Sequence, residues 1–74
     1  MKLSEATSGR EYYIRSIELS EQVKHRLEIL GMTVGTKAGV LNVKNNGPII
    51  VRVRGSRFAI GRKFAEGIIV GGAE

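Results

Sequence analysis

The sequence predicts a mainly β domain: a small barrel of about five short strands, with one inserted helix and a short helical turn before the last strand. Two segments that alternate apolar and basic residues, Ile49–Arg54 and Arg57–Ile60, flank a short loop that contains glycine. Helical periodicity over about three turns is confined to residues 20–30. Closing short strands into a barrel removes exposed edges, so we expect this architecture; an open α+β sheet is the alternative. With 74 residues, the chain forms one domain, residues 1–74.

The first strand and the start of the helix follow from local composition. Glu11–Ile17 is rich in β-forming residues and predicts a strand. Alternation places Tyr12 and Ile14 on the face that we expect to be buried, and Ile17 on the opposite face. Ser20 is a suitable N-cap for the helix, because its hydroxyl group can accept a hydrogen bond from the first helical turn.

The end of the helix carries an apolar stripe and a glycine. Val23, Leu27 and Leu30 recur at positions i, i+4 and i+7, which places them on one face. Gly31 fits the left-handed position after the last turn, and Met32 follows where an apolar residue commonly folds back onto the helix. Leu27, Leu30, Gly31 and Met32 form the helix-end patch, which either plugs the barrel or stays exposed as a docking surface.

The second half of the chain has a β pattern. Gly39 lies inside a predicted strand and indicates a bulge or a close approach of the backbone. The remaining predicted elements are a strand at Lys37–Lys44, a turn at Asn45–Pro48, a helical turn at Gly61–Glu66, a strand at Ile68–Val70 and a frayed tail at 71–74.

The clearest local signal is the hairpin. Gly55-Ser56 as a two-residue loop predicts a register in which Arg54 lies opposite Arg57, and Val53 opposite Phe58. The predicted inner face carries Val51, Val53, Phe58 and Ile60. The predicted outer face, the basic hairpin, carries Arg52, Arg54 and Arg57. Like charges on neighbouring strands repel each other and are destabilising. Either solvent relieves this repulsion between the arginines, or the arginines form a face that binds anions or an acidic protein.

Composition argues against several classes of function. The chain has no cysteine, no aspartate and one histidine, His25, so we expect no disulfide, no metal site and no cofactor. A nucleophile with a base and an orienting acid is not evident, so we do not expect an enzyme. The ten glycines do not form a nucleotide-binding loop. No apolar run approaches the ~20 residues of a membrane span, and the N-terminus lacks the apolar core of a secretion signal, so a cytoplasmic location is expected.

The net charge of +5 is unevenly distributed. Residues 1–28 carry five cations and five anions, whereas residues 29–65 carry seven cations and no acid. This asymmetry predicts either a solvated basic surface or an anionic counterpart, such as nucleic acid, anionic lipid or an acidic protein face.

Three segments, Leu27–Gly35, Gly47–Val51 and Ala59–Val70, together with the opening Leu3-Ser4-Glu5-Ala6 and Gly9, resemble the FeoA family. These proteins are the small cytosolic A components of bacterial ferrous iron transport systems. The resemblance spans almost the whole chain. Leu30-Gly31-Met32 followed by Gly35, in combination with Ala59-Ile60-Gly61-Arg62, is a specific pair of motifs, although neither is specific alone.

The resemblance implies an SH3-like barrel and a partner, the membrane transporter FeoB, whose cytosolic portion includes a G-protein domain. It implies a non-enzymatic accessory role in ferrous iron uptake without iron binding by the protein itself, and it transfers no catalytic residues. The same barrel is the C-terminal, regulatory domain of iron-dependent repressors.

We therefore expect a protein that acts by contact with FeoB at the inner face of the cell membrane, through the helix-end patch and the basic hairpin. Short edge strands also allow β-pairing between copies of the chain. The alternative is a small basic barrel that binds nucleic acid or acts as a regulatory module. No aromatic residue alternates with the arginines to stack on bases, which makes nucleic acid the weaker alternative.

Overall fold

The computed structural model describes residues 1–44 and 46–72. Within these residues, a 3-10 turn at Leu3–Glu5 precedes five strands and two helices. The elements are β1 (Glu11–Ile17), α1 (Glu21–Ile29), β2 (Lys37–Val43), β3 (Ile49–Val53), β4 (Ser56–Ile60), α2 (Arg62–Ala65) and β5 (Ile68–Gly72). The predicted order is confirmed, including one helix after the first strand and a single helical turn before the last.

The five strands form one antiparallel sheet in the order β4-β3-β2-β1-β5. Buried side chains from every strand and from both helices belong to one cluster, so the sheet wraps around a single core as an SH3-like barrel. The N-terminus pairs with the outer edge of β5. Lys2 lies opposite Ile69, and the amide of Val70 donates to the carbonyl of Met1 at 2.7 Å. This pairing covers part of the outer edge of β5, around Ile69 and Val70.

A bulge in β1 changes which side chains reach the core. Tyr12 and Ile14 are buried, as predicted. The register with β5 shifts between Ile14 and Ser16, which inserts an extra residue. Ile17 is consequently buried, and its predicted position on the opposite face is wrong. Strict alternation cannot predict a bulge, because the extra residue moves every following side chain to the opposite face of the strand.

A second bulge lies in β2. The register with β3 shifts between Val40 and Asn42, two residues beyond the glycine that suggested a bulge. Gly39 itself lies in regular pairing, opposite Glu11 on one side and Arg52 on the other.

The hairpin turn lies one residue earlier than predicted. Arg54 and Gly55 form the two-residue loop, with φ of 53° and 82°. Two left-handed central residues give the turn whose twist matches that of the flanking strands. Arg52 therefore lies opposite Arg57, and Val51 opposite Phe58, so the predicted pairs Arg54–Arg57 and Val53–Phe58 are wrong.

The predicted faces of the hairpin are nevertheless confirmed. Moving the loop by one residue shifts each cross-strand pair by two positions, and the side-chain period of a strand is two. Val51, Val53 and Ile60 are buried and Phe58 is half-buried, whereas the three arginines are exposed.

The last strand is longer than predicted. Gly71 lies opposite Tyr13 and Gly72 opposite Tyr12, so these two glycines are part of β5 and not of a frayed tail. Ladder hydrogen bonds use only backbone atoms, which explains why a glycine pair without side chains can extend a strand. Ala73 and Glu74, the rest of the predicted tail, lie outside the described residues.

The predicted turn between β2 and β3 is partly described. Asn45 lies outside the described residues. Asn46 has a positive φ of 60°, and the amide of Gly47 donates to the carbonyl of Lys44 at 3.2 Å. Pro48 directly precedes β3, where its missing N–H removes no bond within the strand.

We expect Gly67→Ala to destabilise the protein by about 1–3 kcal/mol, because the added methyl group has no room. It would lie 2.9 Å from the carbonyl oxygen of Glu18 and 2.8 Å from Cγ of Leu19. Gly72→Ala is the matched control, since nothing lies within 4 Å of its added methyl group. Urea unfolding followed by circular dichroism measures both. Equal midpoints for the two variants would contradict the close packing at Gly67.

Candidate partner-binding site

Hydrogen bonds at both ends of α1 position the helix-end patch. At the start, the amide of Val23 donates to the hydroxyl oxygen of Ser20 at 3.3 Å, which confirms the predicted N-cap. At the end, Gly31 adopts a φ of 98° and the amide of Met32 donates back to the carbonyl of Leu27 at 2.9 Å. This reversal ends the helix and turns the chain under it.

The reversal divides the helix-end patch into core and surface. Met32 is fully buried and Leu27 nearly so, and both belong to the core cluster. Leu30, the last residue before the reversal, keeps 43% of its surface exposed. Leu27 and Met32 therefore fill the barrel core, and Leu30 is the most exposed member of the apolar stripe.

Leu30 lies at the rim of an apolar groove between α1 and the β4–α2 connection. The groove has a volume of about 240 Å³. Its main lining residues are Val23, Arg26, Leu27, Leu30, Ile60 and Phe64. Phe64 is 46% exposed, which is unusual for a large aromatic side chain. Phe64 was not among the site residues predicted from the sequence. The available signal was its position in a helical turn of four residues, which is too short to bury an apolar face.

The basic hairpin lies beside this groove. Arg52 and Arg57 are direct cross-strand neighbours, and Arg54 occupies the turn. All three side chains are exposed, and within residues 1–44 and 46–72 no carboxylate pairs with any of them. The repulsion between neighbouring guanidinium groups is therefore relieved by solvent in the free protein.

Gly31 and Arg54 connect the two candidate surfaces. A methyl group added to Gly31 would lie 3.4 Å from Cδ of Arg54 and 3.6 Å from Cγ1 of Val53. The stem of Arg54 therefore passes over the glycine that ends α1. The structure brings Leu30, Gly31 and the basic hairpin into one continuous surface, which the linear sequence did not show.

The fold and this surface define a small β-barrel module that presents an apolar groove next to exposed arginines. The chain matches the family model for the FeoA domain over residues 1–71. It is 36% identical, over 72 residues, to "Putative Fe(2+) transport protein A" of Methanocaldococcus jannaschii, a match that covers 97% of this chain and 87% of that protein. The chain belongs to the FeoA family.

Solved structures agree with this assignment. A crystal structure of the iron uptake regulatory protein FeoA superimposes with a TM-score of 0.91 at 33% identity, covering 99% of this chain and 97% of that one. The solution structure of FeoA from Chlorobium tepidum also gives 0.91, at 36% identity, covering 100% of this chain and 71% of that one. T. acidophilum IdeR gives 0.88 at 20% identity, covering 99% of this chain and 34% of that one, which shows a shared fold alone.

In the described part of the chain, no three carboxylate or imidazole side chains gather in a way that would hold a metal ion. Neither helix of the described ranges has the length and apolar character needed to cross a membrane.

Because Met32 is buried and Leu30 is exposed, replacing each of them by alanine should lower the free energy of unfolding by a different amount. Met32→Ala should lower the free energy of unfolding by about 2–5 kcal/mol, because it leaves a cavity in the core. Leu30→Ala should cost less than about 1 kcal/mol, since much of that side chain is already in water. Chemical denaturation of both variants measures the difference. Similar losses would mean that Leu30 is also part of the packed core.

Proposed function

We propose that this protein is a non-enzymatic accessory protein of ferrous iron uptake that acts by contact with the cytosolic part of a FeoB-type membrane transporter. Membership of the FeoA family and the Fe(2+) transport name of a 36% identical relative support the iron uptake role. The contact takes place in the cytoplasm and recruits the protein to the inner face of the membrane.

The continuity of the apolar groove with the basic hairpin is the observation that carries this proposal. Interfaces commonly combine a desolvated apolar centre with a charged rim. Leu30 and Phe64 offer exposed apolar area, and Arg54 joins it to the arginines of the hairpin. The complementary face of the partner carries an apolar side chain that enters the groove and carboxylates that meet the guanidinium groups.

The backbone conformation of Arg54 gives independent support. A positive φ is uncommon outside glycine and favours asparagine among other residues. In this turn, Asn-Gly would be the preferred pair, yet the chain has Arg-Gly. An arginine at a position where the turn prefers asparagine points to a contact made by its side chain.

Arg54→Asn separates folding from binding. The variant should be as stable as the wild type or more stable, because Asn-Gly suits the turn. Its capture by the immobilised cytosolic part of a FeoB-type transporter should fall, because a guanidinium contact is lost. Thermal unfolding and surface plasmon resonance measure the two properties. A variant that gains stability and binds as well as the wild type would exclude Arg54 from the contact.

A pair of matched charge reversals tests the rest of the hairpin. Arg57→Glu should weaken capture about tenfold or more, because a charged contact is lost. Lys44→Glu makes the same change of charge outside the basic hairpin, and it should alter capture by less than about twofold at physiological salt. Leu30→Ala tests the groove without any change of charge. Equal effects of the two reversals would indicate general electrostatic attraction, and unchanged capture of both Arg57→Glu and Leu30→Ala would contradict the proposed surface.

A further inference from the structure

A second concave surface lies on the outer face of the sheet and shares no lining residue with the apolar groove. It has a volume of about 730 Å³, within the range of about 300–1,000 Å³ that is usual for small-ligand sites. We call it the basic hollow. The residues that matter for its chemistry are Arg10, Glu11, Lys37, Gly39, Arg52 and Arg54.

Gly39 forms the floor of the basic hollow. It lies between Glu11 of β1 and Arg52 of β3, so a residue without a side chain separates two charged ones in the same row. Its φ is not left-handed, and a methyl group added there would meet only the carbonyl of Arg52 and Cγ of Glu11, both at 4.0 Å. The backbone therefore does not require glycine at this position. What glycine provides is the open space.

The walls of the basic hollow are predominantly cationic. Four cations line it, and Glu11 is the one carboxylate among the described lining residues. Glu11 pairs with Lys37 at 3.6 Å, with both side chains more than half exposed, and an ion pair of this kind contributes little to stability. Arg10 also makes an interaction within the protein. Arg52 and Arg54 pair with no carboxylate in the described part of the chain, so they are the cations on which a ligand would mainly depend. The exposed, weak pair with Glu11 leaves Lys37 available as the third.

The arrangement favours a compact ligand with several negative charges. Guanidinium groups bind phosphate and carboxylate oxygens through paired hydrogen bonds. Carboxylates along one face of an extended peptide are about 7 Å apart, whereas a polyphosphate concentrates its charges on neighbouring groups that fit one hollow. No aromatic side chain is among the described lining residues, so recognition falls on the anionic oxygens and not on a nucleobase.

We propose that the basic hollow is a binding site for a polyphosphate group, held by Lys37, Arg52 and Arg54 over the backbone of Gly39. The group belongs either to a soluble polyphosphate or to a lipid headgroup that carries more than one phosphate, since both present clustered phosphate oxygens. The site shares Arg52 and Arg54 with the basic hairpin, so a bound polyphosphate and the proposed transporter contact would compete for these two side chains. Binding to the isolated chain tests the polyphosphate site without the transporter.

Titration of the full ¹⁵N-labelled chain with sodium tripolyphosphate tests the site, with backbone amide shifts in β2 and β3 as the readout. Arg52→Gln should weaken binding about tenfold or more through loss of a charged hydrogen bond. Lys63→Gln removes the same charge from α2, outside the hollow, and should change affinity by less than about twofold. Glu11→Gln should tighten binding about twofold to fivefold, because it removes a competing carboxylate.

Gly39→Val is the decisive variant, since it fills the floor without changing charge. Valine suits a strand, so the fold should be retained, and the spectrum of the free variant reports this directly. Loss of tripolyphosphate binding in Gly39→Val supports the site. Equal affinities of this variant and the wild type, equal losses in Arg52→Gln and Lys63→Gln, or no saturable binding at low salt would overturn it.

Sedimentation with phosphatidylcholine vesicles, with and without cardiolipin, whose headgroup carries two phosphates, distinguishes the two sources. Sedimentation that requires cardiolipin and is lost in Gly39→Val assigns the site to a lipid headgroup. Sedimentation that is absent, or unchanged in that variant, assigns the tripolyphosphate site to a soluble ligand.

Discussion

The left-handed reversal at Gly31 is the constraint on which the arrangement of the core and the candidate surface depends. A helix of nine residues is too short to be stable alone, so α1 must dock against the sheet. The bond from the amide of Met32 to the carbonyl of Leu27 directs Met32 into the core and fixes the helix there. The same reversal leaves Leu30 at the surface and opens a path for the stem of Arg54. One backbone conformation thus stabilises the domain and assembles its exposed surface.

Glycine has three different physical roles in this small protein. At Gly31, the left-handed φ is the requirement, and a side chain would be strained. At Gly67, the requirement is space, because the backbone of Glu18 approaches closely. At Gly39, neither reason applies, since the backbone is regular and an added methyl group would fit. The role of Gly39 is therefore to leave open the space of the basic hollow.

Much of the fold was predictable because its signals are local. The capping hydroxyl of Ser20, the glycine after α1 and the alternation around the hairpin each act over a few residues, and each prediction was confirmed. The errors arose where pairing with another strand decided the outcome. The bulge in β1 buried Ile17, and the Arg54-Gly55 turn replaced the predicted Gly55-Ser56 loop. Neither the bulge nor the position of the turn follows from the conformational preference of a single residue.

The sequence by itself determined the class of fold, the faces of the hairpin and the resemblance to the FeoA family, because periodicity and motif spacing are encoded residue by residue. Only the tertiary structure decided which members of the helix-end patch are buried. It alone also placed Phe64 and Arg54 at the margins of one surface. The physical reason is that burial depends on what packs from elsewhere in the chain. Leu30 and Met32 are two residues apart and equally apolar in sequence, and the reversal between them places one in water and the other in the core.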